Sequence, residues 1–116
     1  MANVELLTKD NWSNFLKEPK SVLILGKTTC EACKDWTADL NAWEDVPDGV
    51  RFGKINLDEP GWGRFKLQEK WVSEVDVLPF NAIYIDGENK KSWAGGGLDR
   101  LSTVSYTHLR AHETPC

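Results

Sequence analysis

The sequence predicts a single α/β domain, and three observations carry that reading. Strand-like and helix-like segments alternate through most of the chain. A short aliphatic run, Val22-Leu23-Ile24-Leu25, is bounded by turn-forming residues, which suits a strand buried on both faces of a sheet. Directly after it comes Cys30-Glu31-Ala32-Cys33, where the run gives way to a helical pattern. With 116 residues, the chain can bury one core and has no room for a second.

Taken in order, residues 4–7 read as a short strand. Asp10 or Asn11 then offers a helix N-cap, with Trp12, Phe15 and Leu16 as the apolar stripe, and Glu18-Pro19-Lys20 ends that helix because proline cannot continue it. The strand at residues 21–25 follows, and residues 26–29 form the loop before the cysteines. From Cys33, the side chains Trp36, Leu40 and Trp43 recur at helical spacing until Pro47-Asp48-Gly49 closes the segment. Val50, Phe52, Ile55 and Leu57 mark a strand over residues 50–57. Asp58-Glu59-Pro60 favours a helix start, which places a helix over residues 60–72 with Asp58 as its cap. Phe80 to Ile85 is rich in strand formers, Asp86-Gly87-Glu88-Asn89 is a hairpin turn, and Lys90 to Trp93 is the return strand. Gly95-Gly96-Gly97 breaks structure before Leu98-Asp99-Arg100-Leu101 begins a last helix. The order is β-α-β-α-β-α-β-β-α.

Composition narrows the function. A net charge of −4 argues against nucleic acid as a partner, because phosphate binding needs a basic face. The aliphatic runs are far too short to span a membrane, and residues 1–5 lack the basic and apolar regions of a secretory signal, so the expected location is the cytoplasm. There a Cys-x-x-Cys pair is catalytic or metal-binding more often than it is a structural staple. A structural zinc site needs four ligands, whereas residues 1–103 supply two cysteines and no histidine, so no metal is expected within one chain, a zinc or iron–sulfur cluster shared between two copies being the alternative. The six tryptophans read as core packing, most of them on helices.

The last segment stands apart. Val104-Ser105-Tyr106-Thr107-His108-Leu109-Arg110-Ala111-His112-Glu113-Thr114 looks like the translation of a transposase adapter used in DNA library preparation. The expected domain is therefore residues 1–103, with residues 104–116 a non-native tail and the native C-terminal helix truncated. His108, His112 and the odd cysteine, Cys116, fall in that tail and leave the chemistry.

Within the domain, the spacing of Cys30 and Cys33 suits the making and breaking of one small disulfide ring at a helix N-terminus. The helix dipole there favours a thiolate on the first sulfur.

With its strand order, Cys30-Glu31-Ala32-Cys33-Lys34, Gly53-Lys54-Ile55-Asn56-Leu57-Asp58, Val77-Leu78-Pro79-Phe80 and Tyr84-Ile85-Asp86-Gly87, the chain resembles the thioredoxin superfamily over nearly all of residues 1–103. The resemblance implies a central mixed β-sheet flanked by helices, and a cis-proline at Pro79 facing the disulfide. It also implies thiol–disulfide exchange with Cys30 as nucleophile and Cys33 as resolving thiol, and a substrate backbone seated along Leu78 and Pro79. It implies no bound cofactor, protein disulfides as substrates, and recharging by a thioredoxin reductase or by glutathione. We expect a monomer with no nucleic-acid or membrane partner.

This chain also departs from the family pattern. Glu31-Ala32 stands where Gly-Pro is common, Thr29 where Trp is common, and Ile24 where the family has a buried acid. Lys54, which the family places near that acid, then reads as a solvated strand residue, with a catalytic role as the alternative. The segment from Asp58 to Pro79 is several residues longer than in a plain thioredoxin. A non-catalytic thioredoxin-like binding or adaptor module is the competing reading.

Overall fold

The structure, a computed structural model, describes residues 3–108. Five strands form one mixed sheet in the order β1-β3-β2-β4-β5. The strands are β1 (Val4–Leu6), β2 (Lys20–Gly26), β3 (Arg51–Asn56), β4 (Phe80–Ile85) and β5 (Glu88–Ala94). β1, β3 and β2 run parallel, β4 runs antiparallel to β2, and β5 runs antiparallel to β4. The helices are α1 (Trp12–Leu16), α2 (Glu31–Ala42), α3 (Gly63–Gln68) and α4 (Leu98–His108).

The strand alternation sorts side chains into two cores. Leu23 and Leu25 of β2 join Phe15, Ile55, Phe65 and Tyr84 on the face covered by α1 and α3. Val22 and Ile24 point the other way, to Trp36, Leu40, Phe52, Ile83 and Leu101, the face covered by α2 and α4. β2 lies at the centre and is buried almost throughout, which is why its sequence is continuously aliphatic and not alternating. Trp12, Trp36, Trp43, Trp62 and Trp93 are buried, and Trp71 is half-buried against the α1 and α3 core.

Local geometry departs from the sequence-based expectations at three places. The helix expected over residues 60–72 starts later and is split. Gly61 sits at φ +99°, outside helical space, and Glu69 at ψ +79° separates α3 from a 3-10 turn at Lys70–Glu74. Asp58 does not cap α3, whose N-cap position is Trp62 with no side-chain capping bond. Asn11 occupies the N-cap position of α1, but its side chain accepts from Thr8 N and closes the preceding turn. The hairpin turn is tighter than the four residues expected. Asp86 and Gly87 both have positive φ, the conformation that lets a two-residue loop match the twist of paired strands, and β5 starts at Glu88.

α4 runs through the expected boundary at residues 103 and 104. Leu101 and Ser105 are buried, and Val104 packs against the α2 face. His112 and Cys116 lie outside the described residues.

Candidate functional site: a disulfide at a helix mouth

Cys30 is the N-cap residue of α2, with φ −92° and ψ 107°. At such a position a serine or aspartate oxygen would accept one of the unpaired backbone N–H groups of the first turn. Here a sulfur does so: Cys33 N donates to Cys30 Sγ at 3.1 Å. The same arrangement places Cys33 one turn into the helix. The two side chains form a disulfide, with their Cα atoms 5.2 Å apart. Exposure divides the pair: Cys30 is half-buried between the exposed Thr29 and Glu31, and Cys33 is fully buried.

Two tethers hold the loop before Cys30. Leu57 N donates to Gly26 O at 2.8 Å, tying the end of β2 to the end of β3. The Asp58 carboxylate accepts from Thr28 N at 3.0 Å and from Thr28 Oγ1. These bonds hold the carboxyl below its ordinary pKa, with the hydroxyl donor the larger cause. Asp58 is thus a loop tether and not the helix cap expected from its place before Pro60. Its partner lies thirty residues upstream, beyond the reach of a local sequence reading.

On the opposite flank, the Leu78–Pro79 peptide is cis, and Pro79 O accepts from Gly95 N at 2.7 Å. Phe80, the next residue, is in register with Leu25. Pro79 therefore begins β4 beside the strand end that leads to the cysteines. Pro79 is buried and Leu78 half-buried.

A buried network braces α2 behind the disulfide. Trp36 Nε1 donates to Asn81 Oδ1 at 2.8 Å, and Asn81 Nδ2 donates to Gly95 O at 2.8 Å. Gly96 lies so close over the Trp36 ring that a Cβ there would come within 3.1 Å of it. That close approach is what the glycine run accomplishes. Asn81 escaped the sequence reading because a single asparagine inside a strand carries no pattern.

Lys54 was read as solvated, and the structure corrects this. It is 9% exposed, in register between Ile24 of β2 and Leu6 of β1. Desolvation first, and Lys34 second, hold its pKa below the ordinary lysine value. Ile24, at the expected place of a buried acid, is fully buried and aliphatic. Gly26 was also missed: a Cβ on it would sit 3.1 Å from Lys54 Cε and 3.2 Å from Cys33 Sγ.

A cleft lined by Leu6, Thr8, Lys9, Pro60 and Trp62 includes neither cysteine. Among the described residues, no three His, Cys, Asp or Glu side chains gather as a metal site. No helix among them is long and apolar enough to cross a membrane.

The architecture is the thioredoxin fold. The chain superposes on thioredoxin f2 of Chlamydomonas reinhardtii with a TM-score of 0.76 and 19% identity, covering 95% of this chain and all of that one. Thioredoxin O2 of Arabidopsis thaliana in its oxidised state gives 0.74 at 16% identity, covering 94% and 96%. Spinach chloroplast thioredoxin f gives 0.72 at 19% identity, covering 91% and 93%. No protein-family model and no curated protein matches the sequence. The chain thus has a thioredoxin-like fold: a mixed five-stranded sheet flanked by helices, with a Cys-x-x-Cys disulfide at the start of α2.

Proposed function

We propose that this protein is a thiol–disulfide oxidoreductase that reduces protein disulfides. One observation carries the reading: a half-exposed N-cap sulfur bonded to a fully buried one a helical turn behind it. In the dithiol form the N-cap position stabilises a Cys30 thiolate through the helix dipole and the Cys33 N–H. The thiolate attacks one sulfur of a substrate disulfide and expels the other as a thiolate, leaving a mixed disulfide. Cys33 then attacks Cys30 Sγ, the Cys30–Cys33 bond re-forms, and the reduced substrate departs. The exposure difference supports this division of roles, because a partner reaches Cys30 and not Cys33.

Leu78 and Pro79 are the proposed seat of the substrate backbone: Pro79 has no N–H of its own and its O is already held by Gly95 N, so the neighbouring Leu78 backbone pairs with the extended substrate. A thioredoxin reductase or glutathione returns the disulfide to the dithiol, and the protein works as a cytoplasmic monomer. Lys27 and Lys34 favour the Cys30 thiolate, and Glu31 opposes it while pairing with Lys34 at 3.6 Å. The expected Cys30 pKa is mildly lowered, nearer the thioredoxin end of the ~3.5–7.5 range than the strong-oxidant end.

The test is dithiothreitol-driven reduction of insulin by the full chain carrying Cys116→Ser, with Cys30→Ser as control. Turbidity should rise with the first protein and stay at the uncatalysed level with the second. Equal turbidity from both would instead assign the chain to the adaptor modules.

A further inference from the structure

Before Cys33 can release a bound partner, its thiol must lose a proton. Full burial opposes that loss. No acid stands at position 24 to help. Among the described residues, the buried polar or charged side chains are Ser21, Lys54, Asn81 and Ser105, and of these only the lysine titrates in water. Asn81 is already engaged with Trp36 and Gly95.

Lys54 and Cys33 crowd the same backbone position, since the Lys54 stem and the Cys33 sulfur both border the space that a side chain on Gly26 would fill. Among the described residues, no carboxylate forms an ion pair with Lys54. Its register neighbours, Ile24 from β2 and Leu6 from β1, are uncharged. From α2, Cys33 and the cation Lys34 act on it, and both burial and Lys34 favour the neutral amine.

We propose that Lys54 is the proton acceptor for Cys33, a base where a carboxylate would otherwise serve. The inference rests on Cys33 being the resolving thiol. The Lys54 amine takes the proton from Cys33 Sγ, giving an ammonium and a thiolate. The thiolate attacks Cys30 Sγ of the mixed disulfide, the Cys30–substrate sulfur bond breaks, and the substrate leaves as a thiolate that is protonated by water. On re-reduction Cys33 leaves as a thiolate, and the ammonium returns the proton. Gly26 matters because its missing side chain leaves room for the exchange.

Two measurements on Cys116→Ser protein test this without a protein substrate. In the first, Lys54 labelled at Cε is titrated by NMR in the disulfide and dithiol forms. Coupled sites titrate as a pair, so the midpoint should differ between the two forms; coincident midpoints would overturn the proposal. In the second, the dithiol is mixed with an aromatic disulfide, and two releases of aryl thiol are timed. The first reports attack by Cys30, the second expulsion by Cys33. Lys54→Met should slow the second release about a hundredfold at neutral pH, within the usual span of a lost acid–base partner. Lys54→Arg should slow it comparably, because guanidinium stays protonated. An unchanged second phase in both variants would overturn the proposal. A failed insulin assay with an intact Lys54 effect would count only against the protein-reductase reading.

Discussion

Lys54 sits where stability and chemistry pull in opposite directions. An ammonium with no carboxylate partner is costly to bury. Its folded pKa lies below the ordinary 10.5, so the unfolded chain holds more protons between those two values. Stability contributed at this site therefore rises with pH through that window. Lys54→Met should raise the unfolding temperature at neutral pH while slowing the resolving step, measured by thermal melts beside the aryl-thiol assay. A lower melting temperature would show that the lysine is not a burden on the fold.

The pH slope has the same sign at Asp58, whose pKa is depressed below 3.8 by the two Thr28 donors, but there it is the charged form that the fold stabilises. Its contribution is complete above that value and is lost as pH falls through the lower folded one. The Thr28 amide resonance should follow a titration with its midpoint below 3.8. A midpoint at or above it would rule out the tether. Neither residue's role was legible in sequence, since Asp58 meets its partner across thirty residues and Lys54 is enclosed by neighbouring strands.

At the level of elements, local signals worked where the deciding contacts were local. Asp86-Gly87 marks the hairpin, the Cys30–Cys33 spacing marks the helix start, and the aliphatic run marks the central strand. They failed over residues 60–72, where two short helical pieces share one apolar pattern and only Glu69's backbone separates them. Asn81 links α2, β4 and the turn after β5 through hydrogen bonds to Trp36 and Gly95. Asn81→Ala strands a buried indole N–H and a carbonyl, so we expect a loss of about 1–3 kcal/mol for each orphaned group. A urea midpoint matching the parent protein would refute the brace.

For the whole molecule, stability depends on covering both faces of the sheet. α4 supplies Leu101, fully buried among Trp36, Ile83 and Trp93 on the α2 face. Leu101→Ala should cost about 2–5 kcal/mol, read from denaturant unfolding. A loss well under 1 kcal/mol would mean that α4 contributes little to that core. Val104 and Ser105 extend the same contact past residue 103, where the adapter-like stretch begins.

What the amino-acid order settled was short-ranged: the alternation of elements, the central strand and the paired sulfurs at a helix start all follow from side chains within a few residues of one another. Which strand lies beside which is another matter. Parallel pairing of β2 with β3 sets Lys54 next to Ile24 and folds its stem toward Cys33, and antiparallel pairing of β2 with β4 brings Pro79 beside the end of β2. Those neighbours are chosen by burying two opposite faces of one sheet at once, a constraint carried by the packed whole and by no local stretch of the chain.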